Sequence, residues 1–282
     1  MAADHLQYCV ELVREGDRDR YLTLLFAPEA ARGHLAALAA FNLELARTRD
    51  QVSESLLGLI RLQWWREAVE EIRGGGRVRE HQVAQALAAA TRAHGLDTAR
   101  MLAMVEARES ELESTEPPSA AVFLDRADAT AGNLLHLSLQ VLGLDAGSAD
   151  LSAAATRIGR AYAASGLARS VLPDARRRQV RLPREALERA GVALDPLFEL
   201  KPQPQLAAAL RQVSADAERN LAEARRIRLP KAARPLILTG RIAALHLERL
   251  RLAAYDPFDP AALAGHPMDA WRLLWSNLAS RF

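Results

Sequence analysis

The stretch PEAARGHLAALAAFNLELARTRD, from Pro28 to Asp50, decides the fold class. It is rich in Ala and Leu, and Gly33 is its sole interior helix breaker. Proline is tolerated in a first helical turn, where its missing N–H would have no partner. The stretch is therefore predicted to form a long buried helix.

Helical periodicity continues on both sides of this stretch. Residues 4–15 are predicted to form a helix that stops at Gly16, and Ser53 is predicted to cap another. The apolar stripe of that second helix is Leu56, Leu59, Ile60 and Trp64. Further helices are predicted over about 80–94, 98–114, 118–143, 150–172, from Pro183, and over 205–228, 231–254 and 268–280.

Composition supports an all-α class, because strong helix formers dominate and strand-like Val and Ile runs are scarce. Nothing resembles a linker, so one domain over residues 1–282 is expected. A single cysteine excludes an internal disulfide framework. A net charge of +2 gives no reason to expect nucleic-acid binding.

The amino-terminal residues carry neither a signal-peptide pattern nor a transit-peptide pattern. No stretch of about 20 residues is apolar enough to cross a bilayer. A cytoplasmic protein, with or without peripheral contact to the inner membrane, is expected.

Four segments stand in a fixed order: Tyr21 to Pro28, Ala40-Phe41-Asn42 to Asp50, Ile60 to Arg66, and Gly159 to Pro183 with Asp174-Ala175-Arg176-Arg177. Together they resemble the squalene/phytoene synthases over nearly the whole chain. The resemblance implies an isoprenoid-synthase-like helical bundle around a central cavity, with two acid-rich motifs facing each other. In active members these motifs hold Mg²⁺ ions, which bind the diphosphates of two prenyl donors.

The first motif of the family pairs two aspartates four residues apart. Alignment places Ala46 and Asp50 at these positions, and Leu43 where active members carry a diphosphate-binding arginine. Carboxylates at this spacing share one helix face, and their oxygens suit Mg²⁺. Glu44 lies about 200° around the helix from Ala46 and is expected to point away. Asp50 is therefore the remaining candidate metal ligand of this motif.

The second motif runs Asn, Asp, Asp at steps of four, and its equivalents here are Gly166, Ser170 and Asp174. Asp174 is its remaining candidate to bind a metal ion or an arginine, although a solvated acid at a helix end is an alternative. Arg61 and Arg169 are candidate diphosphate contacts. For Arg61, an ion pair with Glu54 or Asp50 is the favoured alternative.

The segments from Ala40 to Ala46 and from Asp50 to Gly58, together with Trp64 and Trp65, resemble one subgroup more closely. Its mitochondrial members assist the assembly of respiratory complex I, and its motifs have lost the same acids. This implies a non-catalytic role with no cofactor, and complex I subunits or assembly intermediates as partners. Two alternatives remain open: Mg²⁺-dependent coupling of two prenyl diphosphates, and binding of an isoprenoid or lipid in the cavity.

Three further groups of residues have alternative interpretations. Trp64 and Trp65 are expected to be core rather than lining of a lipid cavity. Glu106, Glu109 and Glu113 share a helix face and are expected to be a solvated stripe paired with Arg108 or its neighbours, rather than cation ligands. Two arginine runs could contact anionic lipids or an acidic partner, or be solvated; they are Arg176 to Arg178, and Arg225, Arg226 and Arg228.

Overall fold

A computed structural model describes residues 2–51, 55–114, 116–263 and 271–275. None of these residues lies in a β-strand, which confirms the all-α class. The α-helices follow in the order α1 (Ala2–Gly16), α2 (Arg18–Leu24), α3 (Glu29–Gln51), α4 (Ser55–Gly74), α5 (Gln82–His94), α6 (Thr98–Glu113), α7 (Ala120–Ala127), α8 (Asn133–Val141), α9 (Ala149–Arg176), α10 (Arg184–Ala190), α11 (Leu194–Phe198), α12 (Pro204–Ala224), α13 (Arg234–Leu252) and α14 (Pro260–Leu263).

The chain divides into two compact units. Unit 1 comprises Met1–Glu113, Gly132–Thr156 and Leu229–Leu236, and unit 2 comprises Ser114–Ala131, Arg157–Arg228 and Ile237–Phe282. Helices α9 and α13 each contribute residues to both units. A single domain over the whole chain stays a prediction.

The core of unit 1 is built around α3, which is buried along most of its length as its composition predicted. Leu38 and Phe41 are fully buried, and alanines occupy much of the remaining surface of the helix. Because alanine side chains are small, the neighbouring helices α1 and α5 can pack closely against α3. Cys9 of α1 and Trp65 of α4 complete this core.

The buried face of α4 differs from the stripe that periodicity suggested. Leu56 is 64% exposed and Ile60 is 59% exposed. The helix instead buries Leu62 and Trp65, with Gly58, Ala68, Val69 and Ile72 on the same face. Two apolar stripes are present, and spacing alone does not say which of them meets the core.

Unit 2 has a separate core between α9, α12 and α13. Its central side chains include Leu167 of α9, Leu210 of α12 and Leu247 of α13. Pro204 opens α12, where a proline fits a first helical turn. Most apolar residues of these helices therefore serve packing.

Several helix boundaries differ from the sequence expectations. Helix α9 continues through Pro173 to Arg176, beyond the expected end at residue 172. The helix expected over 118–143 is divided by a π-helical turn, Asp128–Gly132. Within that segment the Thr130 hydroxyl donates to the Arg126 carbonyl over 2.7 Å, a contact of the kind that can bend a helix. Of the expected helix at 268–280, only 271–275 lies within the described residues.

Candidate functional site

The first motif lies on α3 in unit 1. Leu43 is buried there and Ala46 is half-buried. Because both side chains are apolar, neither position offers a charged or polar group. The side chain of Asp50 lies outside the described residues, and its role as a metal ligand stays a prediction.

Glu44 is the acid of α3 that the structure places in a buried environment, with 9% exposure. One of its carboxylate oxygens accepts a hydrogen bond from Arg61 Nη2 over 2.7 Å. The Thr48 hydroxyl donates to the Glu44 carbonyl over 3.1 Å. Arg61, a candidate diphosphate contact, is thus engaged by a carboxylate from its own unit.

The charge of Glu44 influences two further groups in unit 1. Burial, reinforced by the negative charge of Glu44, raises the pKa of the Cys9 thiol to about 12. Burial also lowers the pKa of His81, against the opposing effect of Glu44. The His81 ring packs edge-on against Trp64 and Trp65, with 5.2 Å between the ring centroids in each pair. These residues form a partly buried polar cluster beside the core of unit 1.

The second motif lies on α9 in unit 2. Gly166 has no side chain, and a Cβ atom built there would meet nothing within 4 Å. The Ser170 hydroxyl donates to the Leu167 carbonyl over 3.0 Å, within its own helix. Two of the three motif positions therefore carry no carboxylate or amide side chain.

Asp174, the remaining acid of this motif, is 3% exposed. Its carboxylate accepts two hydrogen bonds from Arg181, from Nε over 2.8 Å and from Nη2 over 3.2 Å. This bidentate arrangement neutralises the carboxylate with a cation seven residues further along the chain. The alternative of a solvated acid at a helix end is wrong, because the side chain is buried and paired.

Arg169, the second candidate diphosphate contact, is exposed, and its guanidinium contacts α13. Its Nη1 lies 2.9 Å from Nε2 of His246, whose Nδ1 lies 3.0 Å from Nη1 of Arg249. A neutral imidazole accepts at one nitrogen only, so the ring can satisfy one of the two guanidinium groups as an acceptor. Sequence reasoning missed His246 and Arg249 here, because they lie 77 and 80 positions from Arg169.

The motif positions whose side chains the structure describes offer few ligands for a Mg²⁺ ion. Magnesium in prenyl transfer needs several oxygen ligands, whereas Ala46, Gly166 and Ser170 replace the acids and the amide of the motifs. Both oxygens of Asp174 are directed at Arg181. Among the described residues, no group of three or more His, Cys, Asp or Glu side chains could hold a metal ion.

The structure also places the two tryptophans of α4 and the glutamates of α6 that the sequence singled out. Trp65 is 1% exposed, which confirms it as core, and Trp64 lies half-buried beneath the Arg79 guanidinium. Glu109 forms an ion pair with Arg66 of the neighbouring helix α4. Arg108 pairs with Glu111 over 2.8 Å rather than with the glutamates of the expected stripe.

The two arginine runs lie in unit 2, and all three members of the first run, Arg176 to Arg178, are exposed. Arg178 lies over the Phe198 ring, 5.0 Å from its centroid. In the second run, burial and the positive charge of Arg241 lower the pKa of Arg225.

Comparison of the sequence with known proteins identifies one family. The family model for squalene/phytoene synthases matches residues 13–279. The curated relatives include complex I assembly factor 6 of Rattus norvegicus, which is 32% identical over 90% of this chain and 76% of its own length. The human protein of the same name is 31% identical over 92% of this chain and 77% of its own length.

Among solved structures, a dehydrosqualene synthase in complex with a ligand superposes with a TM-score of 0.85, at 20% identity. The match covers 99% of this chain and 97% of that one. A squalene synthase from Alicyclobacillus acidocaldarius superposes with a TM-score of 0.76 at 19% identity, over 91% of this chain and 97% of its own. At these identities the likeness establishes a common helical fold. Within the described residues, no helix combines the length and the hydropathy needed to cross a membrane.

Proposed function

This chain belongs to the squalene/phytoene synthase family, and from that premise we propose that it acts without catalysis in the assembly of respiratory complex I. Support comes from curated relatives at about 30% identity, which are named complex I assembly factors. Its partners are then complex I subunits or assembly intermediates. Fold alone does not separate this role from that of a synthase, so the proposal depends on the motif residues.

The observation that carries the proposal is the state of Asp174. In a synthase the acids of both motifs must be available to metal ions that neutralise the leaving diphosphate. Here Asp174 is buried and held by two hydrogen bonds from Arg181. A Mg²⁺ ion would have to displace this guanidinium while finding no acid at Gly166 or Ser170.

Loss of the motif acids lowers the expected rate of prenyl transfer steeply. Charge stabilisation of the leaving group is a major part of catalysis, and removal of one such contact typically costs about 10²–10³ in rate. Three motif positions, Ala46, Gly166 and Ser170, are changed in this chain. We therefore expect no cofactor requirement, and no shift in thermal stability on addition of millimolar Mg²⁺.

The proposal is tested by deleting the gene and restoring it with variants. The deletion is expected to lower the amount of assembled NADH:quinone oxidoreductase on native gels, and the wild-type gene should restore it. Asp50→Asn should restore it equally well, because an assembly role does not need a metal-binding carboxylate. A deletion strain with unchanged complex I would refute the assembly role.

The enzyme alternative predicts release of pyrophosphate from prenyl diphosphates, whereas the assembly role predicts none. Purified protein with farnesyl or geranylgeranyl diphosphate and Mg²⁺ should release no pyrophosphate. Release that is abolished by Asp50→Asn would establish the enzyme instead. An authentic phytoene or squalene synthase assayed in parallel shows that substrate and metal are competent.

A further inference from the structure

Unit 2 contains a cavity of about 420 Å³ between α7, α9, α10 and α12. This volume lies within the range of small-molecule sites, roughly 300–1,000 Å³. On α9 the cavity is lined by Arg160 and Ala164. Ala164 and Gly166 are two residues apart, which is about 200° around a helix. The cavity therefore lies on the opposite side of α9 from Gly166, Ser170 and Asp174.

About half of the cavity wall is apolar. Phe123 and Leu124 of α7 line one side, and Val213 and Ala217 of α12 line another. Ala164 and Ala217 are buried and small, so they leave space that larger side chains would occupy. Burying apolar ligand surface against this wall is favourable, at about 25 cal/mol per Å².

The charges at one rim of the cavity are already paired. Arg160 donates to both carboxylate oxygens of Asp128, over 2.7 and 2.6 Å. Glu223 accepts from Arg157 Nε over 2.8 Å. Because each guanidinium has its own carboxylate, neither needs an anionic ligand to balance its charge.

The other charged groups at the wall are also engaged. Asp216 is paired with Arg219, and Glu185 accepts from the backbone N–H of Ala120 over 2.8 Å. The lining groups and their partners thus comprise four carboxylates and three guanidinium groups. An anionic ligand would have to compete with the carboxylate that each lining guanidinium already binds.

One neutral polar group faces the cavity without a competing contact. Gln212 lines the wall, and no hydrogen bond within the described part of the chain involves its amide. An amide offers both a donor and an acceptor, which suits a hydroxyl or carbonyl group.

We propose that this cavity binds an uncharged, mainly apolar small molecule that carries a hydroxyl or carbonyl group. The apolar body lies against Phe123, Leu124 and Val213, and the polar group lies against Gln212. This site is independent of the proposed role in complex I assembly, since it uses neither metal-binding motif.

The test uses two ligands that differ in charge and share one alkyl chain, decanol and decyl phosphate. Each is titrated against the full-length protein carrying the uncharged fluorescent probe N-phenyl-1-naphthylamine. Decanol is expected to displace the probe saturably, and decyl phosphate to bind at least about tenfold more weakly because no free cation meets it. Equal affinities, or no saturable displacement by decanol, would overturn the proposal.

Matched variants on α9 locate the ligand. Ala164→Leu should reduce decanol affinity by more than about tenfold because its side chain fills the cavity, whereas Gly166→Leu projects from the opposite side and should leave it unchanged. Loss of binding in Gly166→Leu alone would place the ligand at the motif side of α9 and would refute the proposal.

Gln212→Leu provides a second measurement if Ala164→Leu fails to fold, as judged by circular dichroism. It should weaken decanol binding about fivefold to tenfold through loss of one hydrogen bond. Unchanged decanol affinity in this variant would exclude the assigned polar contact.

Discussion

Replacement of Arg181 by glutamine tests the central structural claim, that Asp174 is committed to an ion pair. The variant keeps a long polar side chain but removes the positive charge and the fork of two donors. Asp174 would then remain almost fully buried, with its carboxylate deprived of the two hydrogen bonds that Arg181 donates. We expect a loss of folding stability without any gain of metal-dependent activity.

The magnitude follows from the burial of the two partners. Breaking a fully buried ion pair by removing one partner costs about 3–5 kcal/mol. The Asp174 side chain is 5% exposed, whereas that of Arg181 is 32% exposed, so water can replace part of the lost interaction. Hydrogen bonds to charged groups contribute about 1.5–3 kcal/mol each in favourable cases. We therefore expect the free energy of unfolding to fall by about 2–3 kcal/mol.

The assay is urea denaturation of the wild type, Arg181→Gln, Asp174→Asn and the double variant at pH 7. The coupling energy from this cycle is expected to be about 1–3 kcal/mol. Each measurement is repeated with millimolar Mg²⁺, which should change none of the four curves. Two results together would show that Asp174 is a metal ligand instead. Arg181→Gln would lose less than about 0.5 kcal/mol of unfolding free energy, and Mg²⁺ would stabilise the wild type but not Asp174→Asn.

Three further predictions concern single side chains. The thiol of Cys9 should resist a disulfide reagent in the native protein at pH 8, because burial raises its pKa to about 12, against about 9 when unfolded. As the pH rises above 9, the unfolding free energy of the wild type should therefore fall by about 1.4 kcal/mol per pH unit relative to that of Cys9→Ala, and an equal difference between the two proteins at pH 8 and pH 10 would contradict this. Trp65→Ala should lower the unfolding free energy by about 3–5 kcal/mol and Trp64→Ala by clearly less, since Trp65 is buried and Trp64 is half-buried. If thermal and urea denaturation showed the same loss for both variants, this difference in burial would be refuted. Gly166→Ala should raise stability by about 0.5–1 kcal/mol, because its Cβ meets nothing within 4 Å and alanine favours a helix; a lower melting temperature would refute the open space at this position.

Sequence reasoning identified the helices well where periodicity and breakers agreed, as at α5, whose expected end before Gly95 is confirmed. The predicted helix boundaries were wrong where a residue type is compatible with more than one backbone structure. Pro173 suggested a helix end, yet α9 continues to Arg176. The expected helix over 118–143 contains a π-helical turn, because local competition for backbone carbonyls is not visible in an apolar pattern.

The candidate site was predictable as a list of positions and not as a set of contacts. The changed motif residues Ala46, Gly166 and Ser170 follow from alignment alone. The pairing of Arg61 with Glu44 does not follow from alignment, because the two residues come from different helices. The angular position of Glu44 on α3 does not say which side chain of another helix it will contact. His246 and Arg249 were missed beside Arg169 for the same reason.

The amino-acid sequence by itself determined the helical class, the family and the loss of the motif acids, because these depend on residue identity and short-range spacing. Only the tertiary structure decided that Asp174 is buried against Arg181 and that α4 leaves Leu56 and Ile60 exposed. It also decided that Ala164 lines a cavity. Each of these depends on which helix faces meet. Helical periodicity defines a face but not its partner, since partners far apart in the chain are selected by packing and charge together.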